Sequence, residues 1–485
     1  MSLIPLPDER PAAASLSPWA ERIVLALAAL LLAVQISPWF YRQGDAAAYI
    51  SIARHLAHGD GLQNMGSPVL WFPPGYPLLL SPLLCLRYLP LLEISCLHCL
   101  LGLGLLWGVY RWARRQAPEG AVWIAAISVG TNAVWIHYRQ PISEMAFMTA
   151  MAWLLVSVQA LARARSPGRF LACLAMVVGL TVAACLIRSL GIALAAGGCC
   201  ALLAAAVRKS LSRPRAVAAA LAIGAAAAIT VGGVMLHDLW AAESMGSRTY
   251  LNSIEAQRVG TIGGGYWPWC ALVVSDIGRV TVPFMFKSYG DVGSWCNVNM
   301  LVYAPLFGLL AFGYFRWLRR SGDPLAWSMP FYLAVLTYFR WEAGARYWVP
   351  MTSALLMCLW FALEPLRRQN LFRALWVLHI LAALTYWIGR DMPFAREMDR
   401  QWPTARSLAE QITMSRDRVV IDASLADLGM LLTLQLDRHV KEHAGSLNDP
   451  IPISVQWLII PTERKPPPGF IPRANVGECQ LLQRE

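Results

Sequence analysis

Phe170-Leu-Ala-Cys-Leu-Ala-Met-Val-Val-Gly-Leu-Thr-Val-Ala-Ala-Cys-Leu-Ile187 runs for 18 residues without a charge, between Arg169 and Arg188. As a helix it is about 27 Å long, close to the thickness of a bilayer's hydrocarbon core. Inside lipid every backbone N–H and C=O must be satisfied within the segment, so the stretch reads as a membrane-spanning helix. Comparable runs recur at Ile23–Phe40, Ile94–Tyr110, Ala121–His137, Glu144–Leu161, Leu190–Val207 and Ala216–Leu236. Four more lie at Met300–Trp317, Leu325–Phe339, Tyr347–Leu363 and Phe372–Ile388. With 57% hydrophobic and 14% charged residues over 485, the chain is too apolar for a soluble globular protein. The expectation is an α-helical polytopic membrane protein of about 11 spans.

The formal charge of +12 does not indicate nucleic acid. The arginines sit in short loops: Arg111/Arg114/Arg115, Arg163/Arg165/Arg169, Arg208/Lys209/Arg213/Arg215, Arg316/Arg319/Arg320 and Arg367/Arg368/Arg373. All fall on one side, which the positive-inside rule makes cytoplasmic. The N-terminus is then cytoplasmic and the C-terminus extracytoplasmic. Gly75–Leu92 is apolar enough to cross, but counting it as a span would reverse alternate basic loops, so it reads as a re-entrant or surface helix. The first apolar run lacks a small-residue cleavage pattern and is expected to stay as a span. Only four of the 41 basic residues are lysine, and alanine is abundant, which suggests a bacterial source and hence the bacterial inner (plasma) membrane.

Three outer regions follow from this topology: loops at residues 41–93 and 237–299, and the tail. Residues 1–389 then form the transmembrane domain, and residues 390–485 a small extracytoplasmic α/β lobe. In the lobe, strands are expected at Val419–Asp422 and Val455–Ile460, with a helix over Leu425–Leu436. No internal repeat is visible. Most cysteines lie in apolar runs and behave as small hydrophobes. Cys270 and Cys296 share the second outer loop and could pair as a disulfide in an oxidising compartment.

The first outer loop opens with Gly44-Asp45-Ala46-Ala47-Ala48-Tyr49. Tyr49, Ile52, Ala53 and Leu56 recur at helical spacing, with Arg54, His55 and His58 at polar positions, up to Gly59-Asp60-Gly61. This is an amphipathic interfacial helix. Asp45 just before it reads either as an N-cap or as a functional carboxylate at the membrane surface. His55, His58 and His137 could form a metal site with Asp45, although such pairs are common on exposed amphipathic helices. Trp267, Trp269, Trp295, Tyr250, Tyr266 and Tyr289 make the second loop aromatic-rich, with membrane anchoring the simple explanation.

The Asp-x-x-x-Tyr element after the first span, Phe72-Pro73-Pro74-Gly75-Tyr76-Pro77, and Gly344-Ala345-Arg346-Tyr347-Trp348-Val349-Pro350 come in a definite order. Together with the many spans and basic inner loops, they resemble the GT-C glycosyltransferases. The resemblance is to the bacterial branch related to protein O-mannosyltransferases and aminoarabinose transferases. It implies transfer of a sugar from a polyprenyl-phosphate donor to an envelope acceptor at the outer face, with inversion at the anomeric carbon. Asp45 would match the family's first-loop acidic residue and serve as general base. Relatives sometimes use that aspartate to hold a divalent metal, and the sequence leaves this role open.

Glu144, in Pro141-Ile142-Ser143-Glu144, resembles the family's second-loop acidic residue, which implies a catalytic role: orienting an acceptor, tuning Asp45 or serving as a second metal ligand. It reads equally as a carboxylate favoured by the helix dipole, beside a Ser143 cap. Arg188 interrupts an apolar pair of spans on the side where arginine is disfavoured. Arginine near a membrane centre costs about 2.5–3.5 kcal/mol on insertion scales and usually has a partner. A lipid phosphate would be one, and snorkelling to the interface is the alternative. Arg346 with Tyr347 is the second donor-phosphate candidate and Lys287 the third. Tyr49, Tyr76 and Arg139 complete the loop and acceptor region. A transporter or flippase, and an O-antigen ligase or polymerase, are the competing readings. Ionisable residues crowd the span ends rather than the midplane, and the acidic loop comes early, which disfavours both.

Overall fold

The computed structural model describes residues 17–38, 44–69, 72–131, 134–135, 138–244, 266–281, 298–339, 345–364, 368–412, 418–437, 440–443 and 455–484. The chain divides into two compact units. The first holds Met1–Ile36, Cys96–Tyr138 and Ser143–Thr385; the second holds Ser37–Ser95, Arg139–Ile142 and Tyr386–Glu485.

Helices make up the first unit. Ser-Pro pairs start two of them: Ser17 Oγ accepts from Ala20 N at the head of Pro18–Ala33, and Ser166 Oγ from Arg169 N at the head of Pro167–Ile187. Hydroxyl caps with proline in the first turn satisfy donors that the helix leaves open. Among the described residues of the whole chain, five helices are long and apolar enough to cross a membrane by length and composition: Leu91–Ala113, Glu144–Leu161, Pro167–Ile187, Arg213–Glu243 and Asn370–Gln411. Shorter apolar helices include Ala121–Gly130, Gly191–Val207 and Pro324–Thr337. The chain is thus a multi-pass helical membrane protein. The expected span at Tyr347–Leu363 begins instead as two 3-10 turns, Ala345–Tyr347 and Val349–Met351, before the α-helix Thr352–Ala362. Pro350, which has no N–H to give, accounts for part of that delay.

Small residues bring the helices together. A Cβ on Gly197 would lie 2.0 Å from Ser328 Oγ and 2.5 Å from Ser328 N, so Gly191–Val207 and Pro324–Phe339 meet backbone to backbone. Lipid tails are as apolar as leucine, so close packing of this kind drives helix association in membranes. A buried polar knot ties three further segments. Asp323 accepts from Trp112 Nε1 (2.9 Å), Gln159 Nε2 (3.0 Å) and Leu325 N (2.9 Å). Burial outweighs those hydrogen bonds and pushes its carboxyl up to about 6.

In the second unit, Gly44–His58 packs on Gly75–Leu86 and on a hairpin of β1 (Gln63–Asn64) and β2 (Ser67–Pro68). Gly59 and Gly61 take left-handed φ of 84° and 83°, which ends the helix where the sequence expects it. The helix is less amphipathic in its setting than its pattern suggests. Ala46 to Ala53 are all buried, and Arg54, expected on the polar face, is buried too. Farther along, Met392–Gln411 is an α-helix, and the described residues among the last 70 carry a five-stranded sheet in the order β4-β3-β5-β7-β6. The strands are β3 (Arg418–Asp422), β4 (Val440–His443), β5 (Val455–Pro461), β6 (Phe470–Val476) and β7 (Cys479–Arg484). β3 pairs in parallel with β4 and β5; β7 runs antiparallel to β5 and β6. Helix Ala426–Leu436 links β3 to β4, and Val420, Val455, Leu458, Ile460, Phe470 and Leu482 form a core cluster. β3, β5 and the linking helix lie where the sequence reads them. β4, β6 and β7 were not read from it, because their alternation is broken by charges and by Pro472.

Candidate active site

Glu144 is the first residue of Glu144–Leu161 and is fully buried. The serine before it makes no side-chain cap hydrogen bond, so the helix end is not closed by a Ser143 cap. Instead the Glu144 carboxylate faces two guanidinium groups. Its Oε1 accepts from Arg188 NH1 at 2.6 Å and also from Arg346 Nε. Both partners were candidates for an anion site on sequence grounds, from separate parts of the chain; the structure brings them onto one carboxylate.

Local chain geometry explains how each arrives. Pro167–Ile187 stops at Arg188, whose backbone is extended (φ −152°, ψ 134°). Its carbonyl then accepts from Gly191 N at 2.8 Å, and Gly191–Val207 begins at once. A Cβ on Gly191 would stand 2.6 Å from Cys185 N, so only glycine fits a turn this tight. Arg346 sits in the first 3-10 turn, three residues before the second begins. Tyr347 places its ring 5.0 Å from the Arg188 guanidinium carbon. The Tyr347 carbonyl accepts from Tyr332 Oη at 2.5 Å, and the Tyr332 ring packs 6.2 Å from Trp348.

Tyr332 and Trp348 were not singled out by sequence reasoning, and neither was His98. This buried histidine shares Nδ1 with the Tyr138 carbonyl at 2.7 Å. A signal existed for Tyr332 and His98: each is a polar side chain inside an apolar helix, which must find a partner.

In the second unit, Asp45 lies in the first turn of Gly44–His58 rather than ahead of it, half-buried. A carboxylate there is favoured by the helix dipole. Tyr49 and Tyr76 pack edge to face at 5.1 Å, with Phe72 at 5.1 Å on Tyr49, and both tyrosines are buried. Their rings therefore support the helix that carries Asp45. Arg139 places its guanidinium carbon 5.9 Å from the Trp387 ring. His55 and His58 have protein partners: His55 has Asp60 and Asp437, and His58 has the Arg54 carbonyl. Among the described residues no group of three or more His, Cys, Asp and Glu side chains is placed to hold a metal ion. Lys287, Cys296, His137, Trp295, Tyr250 and Tyr289 lie outside the described residues, as do the side chains of Cys270, Tyr266, Trp267 and Trp269.

No family model and no curated protein matches the chain. Solved structures do match. ArnT from Cupriavidus metallidurans, bound to undecaprenyl phosphate, aligns with a TM-score of 0.55 and 13% identity over 96% of this chain and 98% of its own. Its apo state gives 0.54, with 13% identity and coverage of 96% and 97%. The archaeal oligosaccharyltransferase AglB from Archaeoglobus fulgidus, in complex with an inhibitory peptide and a dolichol-phosphate, gives 0.54 at 13% identity over 91% and 69%. The protein shares the fold of these structures. At 13% identity no residue role carries across, so the roles rest on this chain's own geometry. Two guanidinium groups pre-oriented by one buried carboxylate make a site suited to a phosphate, because arginine forks match phosphate oxygens bidentately.

Proposed function

We propose that the protein is an inverting glycosyltransferase. It moves a sugar from a polyprenyl-phosphate donor to an acceptor hydroxyl or phosphate at the outer face of the bacterial inner membrane. The convergence of Arg188 and Arg346 on Glu144, within a fold shared with a protein seen bound to undecaprenyl phosphate, is the observation that carries this reading. The lipid phosphate is a good leaving group and needs positive charge more than a general acid. Arg188 and Arg346 supply that charge; Glu144 holds the two guanidinium groups aimed and close despite their mutual repulsion. Tyr347 steadies Arg188 through its ring.

Asp45 is the general base in this reading. The acceptor hydroxyl gives its proton to the Asp45 carboxylate while its oxygen bonds to the anomeric carbon. The bond from that carbon to the phosphate oxygen breaks, and the lipid phosphate leaves with the electron pair. Attack from the face opposite the phosphate inverts the anomeric centre. A divalent ion at Asp45 is the alternative role for this carboxylate. Among the described residues no further His, Cys, Asp or Glu side chains assemble a ligand set around it.

The test is transfer from a panel of radiolabelled polyprenyl-phosphate sugars by purified protein, with wild type beside Asp45→Asn and each with and without EDTA. Loss of turnover in a folded Asp45→Asn protein, insensitive to EDTA in the wild type, is expected. Equal turnover by both proteins would remove Asp45 from the reaction, and EDTA-sensitive turnover would make it a metal ligand.

A further inference from the structure

The Gly44–His58 helix carries Asp45 at one end, and its other end is fastened by residues far away in sequence. Helix Ala426–Leu436 closes at Asp437, which takes a left-handed backbone (φ 51°, ψ 39°). Aspartate tolerates that conformation better than most residues. Its two carboxylate oxygens are divided between neighbours on the Asp45 helix. Oδ1 lies 3.0 Å from Arg54 NH1, and Oδ2 lies 3.2 Å from His55 Nε2. The other His55 nitrogen is 3.0 Å from Asp60 Oδ2.

A third segment backs the same contact. The Arg54 guanidinium carbon is 3.8 Å from the Tyr88 ring centroid, and its NH2 donates to the Tyr88 carbonyl at 3.3 Å. Tyr88 Oη in turn donates to the Gln435 carbonyl at 2.7 Å, two residues before Asp437. Arg54 is only 5% exposed, so its charge has little water to turn to if Asp437 lets go.

Resting on the reading of Asp45 as the base, we propose that Asp437 is a positioning residue for the transfer reaction. It sets the rotation and axial register of the helix that presents the Asp45 carboxylate. A helix is a stiff rod, so a change at one end is transmitted to the other. Asp45 and Arg54 stand about 14 Å apart along the axis at about 1.5 Å per residue. With side chains reaching about 5–6 Å from the axis, a rotation of roughly 20° would displace the carboxylate by about 2 Å. A misplacement of about 1 Å can cost on the order of 100-fold in rate.

Asp437→Asn tests this in the full-length protein. Asparagine keeps the size of the side chain and accepts the left-handed backbone while removing the charge. Hydrogen exchange of Gly44–His58 is the first readout, because it needs no substrate and survives failure of the enzymatic reading. Exchange there is expected to rise about tenfold or more in Asp437→Asn, with the sheet strands unchanged. In the transfer assay kcat is expected to fall about 10- to 100-fold with KM for the donor unchanged. Arg54→Gln alone should do the same, and the double variant should lose no more than either single one. Unchanged exchange in Gly44–His58 would overturn the proposal, as would single-variant losses that multiply. If Asp437→Asn fails to fold, Tyr88→Phe, which removes only the hydroxyl donated to Gln435, reads the same exchange with a smaller expected rise. Increased exchange together with no transfer by wild type would leave the fastening intact and refute the catalytic reading instead.

Discussion

Replacing Glu144 by glutamine removes one negative charge and leaves two positive charges facing each other. The glutamate is fully buried, the Arg188 side chain is 9% exposed and that of Arg346 is 17% exposed. Removing one partner of a buried ion pair costs about 3–5 kcal/mol, because the remaining charge is left uncompensated. Arg188 and Arg346 both contact this carboxylate, and Arg346 keeps partial access to water, so we expect a loss within that range. Domains of 150–250 residues shift by about 2–4 °C per kcal/mol, and a larger chain shifts less, so the melting temperature in detergent should fall by about 3–10 °C. The assay is a thermal melt followed by circular dichroism or tryptophan fluorescence. Adding a polyprenyl phosphate supplies the missing negative charge, so it should raise the melting temperature of Glu144→Gln more than that of wild type. Pairing Glu144→Gln with Arg188→Met should recover part of the loss, since one unmatched cation goes with it. A Glu144→Gln protein that melts with wild type would refute the reasoning, because the carboxylate would then not be holding the arginines.

Asp323 predicts a pH dependence. Its folded carboxyl is held up at about 6 against an ordinary 3.8, so the folded chain binds this proton more tightly than the unfolded chain. The site therefore favours folding most below pH 4 and loses that contribution, about 3 kcal/mol, as pH rises from 4 to 6. The melting-temperature difference between wild type and Asp323→Asn should shift across that window; parallel curves would refute it. Gly197→Ala puts a methyl group into Ser328 and should cost about 1–3 kcal/mol by overpacking, read as a lower melting temperature with no change in net charge. Asp422, buried in β3, accepts from Ser424 N (2.9 Å) and Arg464 NH1 (2.7 Å). Asp422→Ala should cost about 1–3 kcal/mol and raise protease sensitivity in residues 418–484; equal proteolysis would show that the bond contributes little.

Local chemistry made much of the chain readable. Span placement follows from apolar length, which needs no tertiary context: Glu144–Leu161 and Pro167–Ile187 are helices where the composition puts them. The stop at Gly59 and the restart at Gly191 follow from glycine's access to tight backbone geometry. Arg188 and Arg346 could be flagged one at a time, because a cation in an apolar setting needs a partner. Neither position says who the partner is. Glu144 reads the same in sequence whether it caps a helix or binds arginine, and Arg54 has the same helical spacing whether it faces water or Asp437. Those choices depend on contacts between residues far apart in the chain, and such contacts have no sequence period. Sequence by itself therefore determined a multi-pass helical chain with its charges at the span ends. Only the tertiary structure decided that Arg188 and Arg346 share one buried carboxylate and that Asp437 holds the helix bearing Asp45, because burial and pairing are properties of what surrounds a side chain.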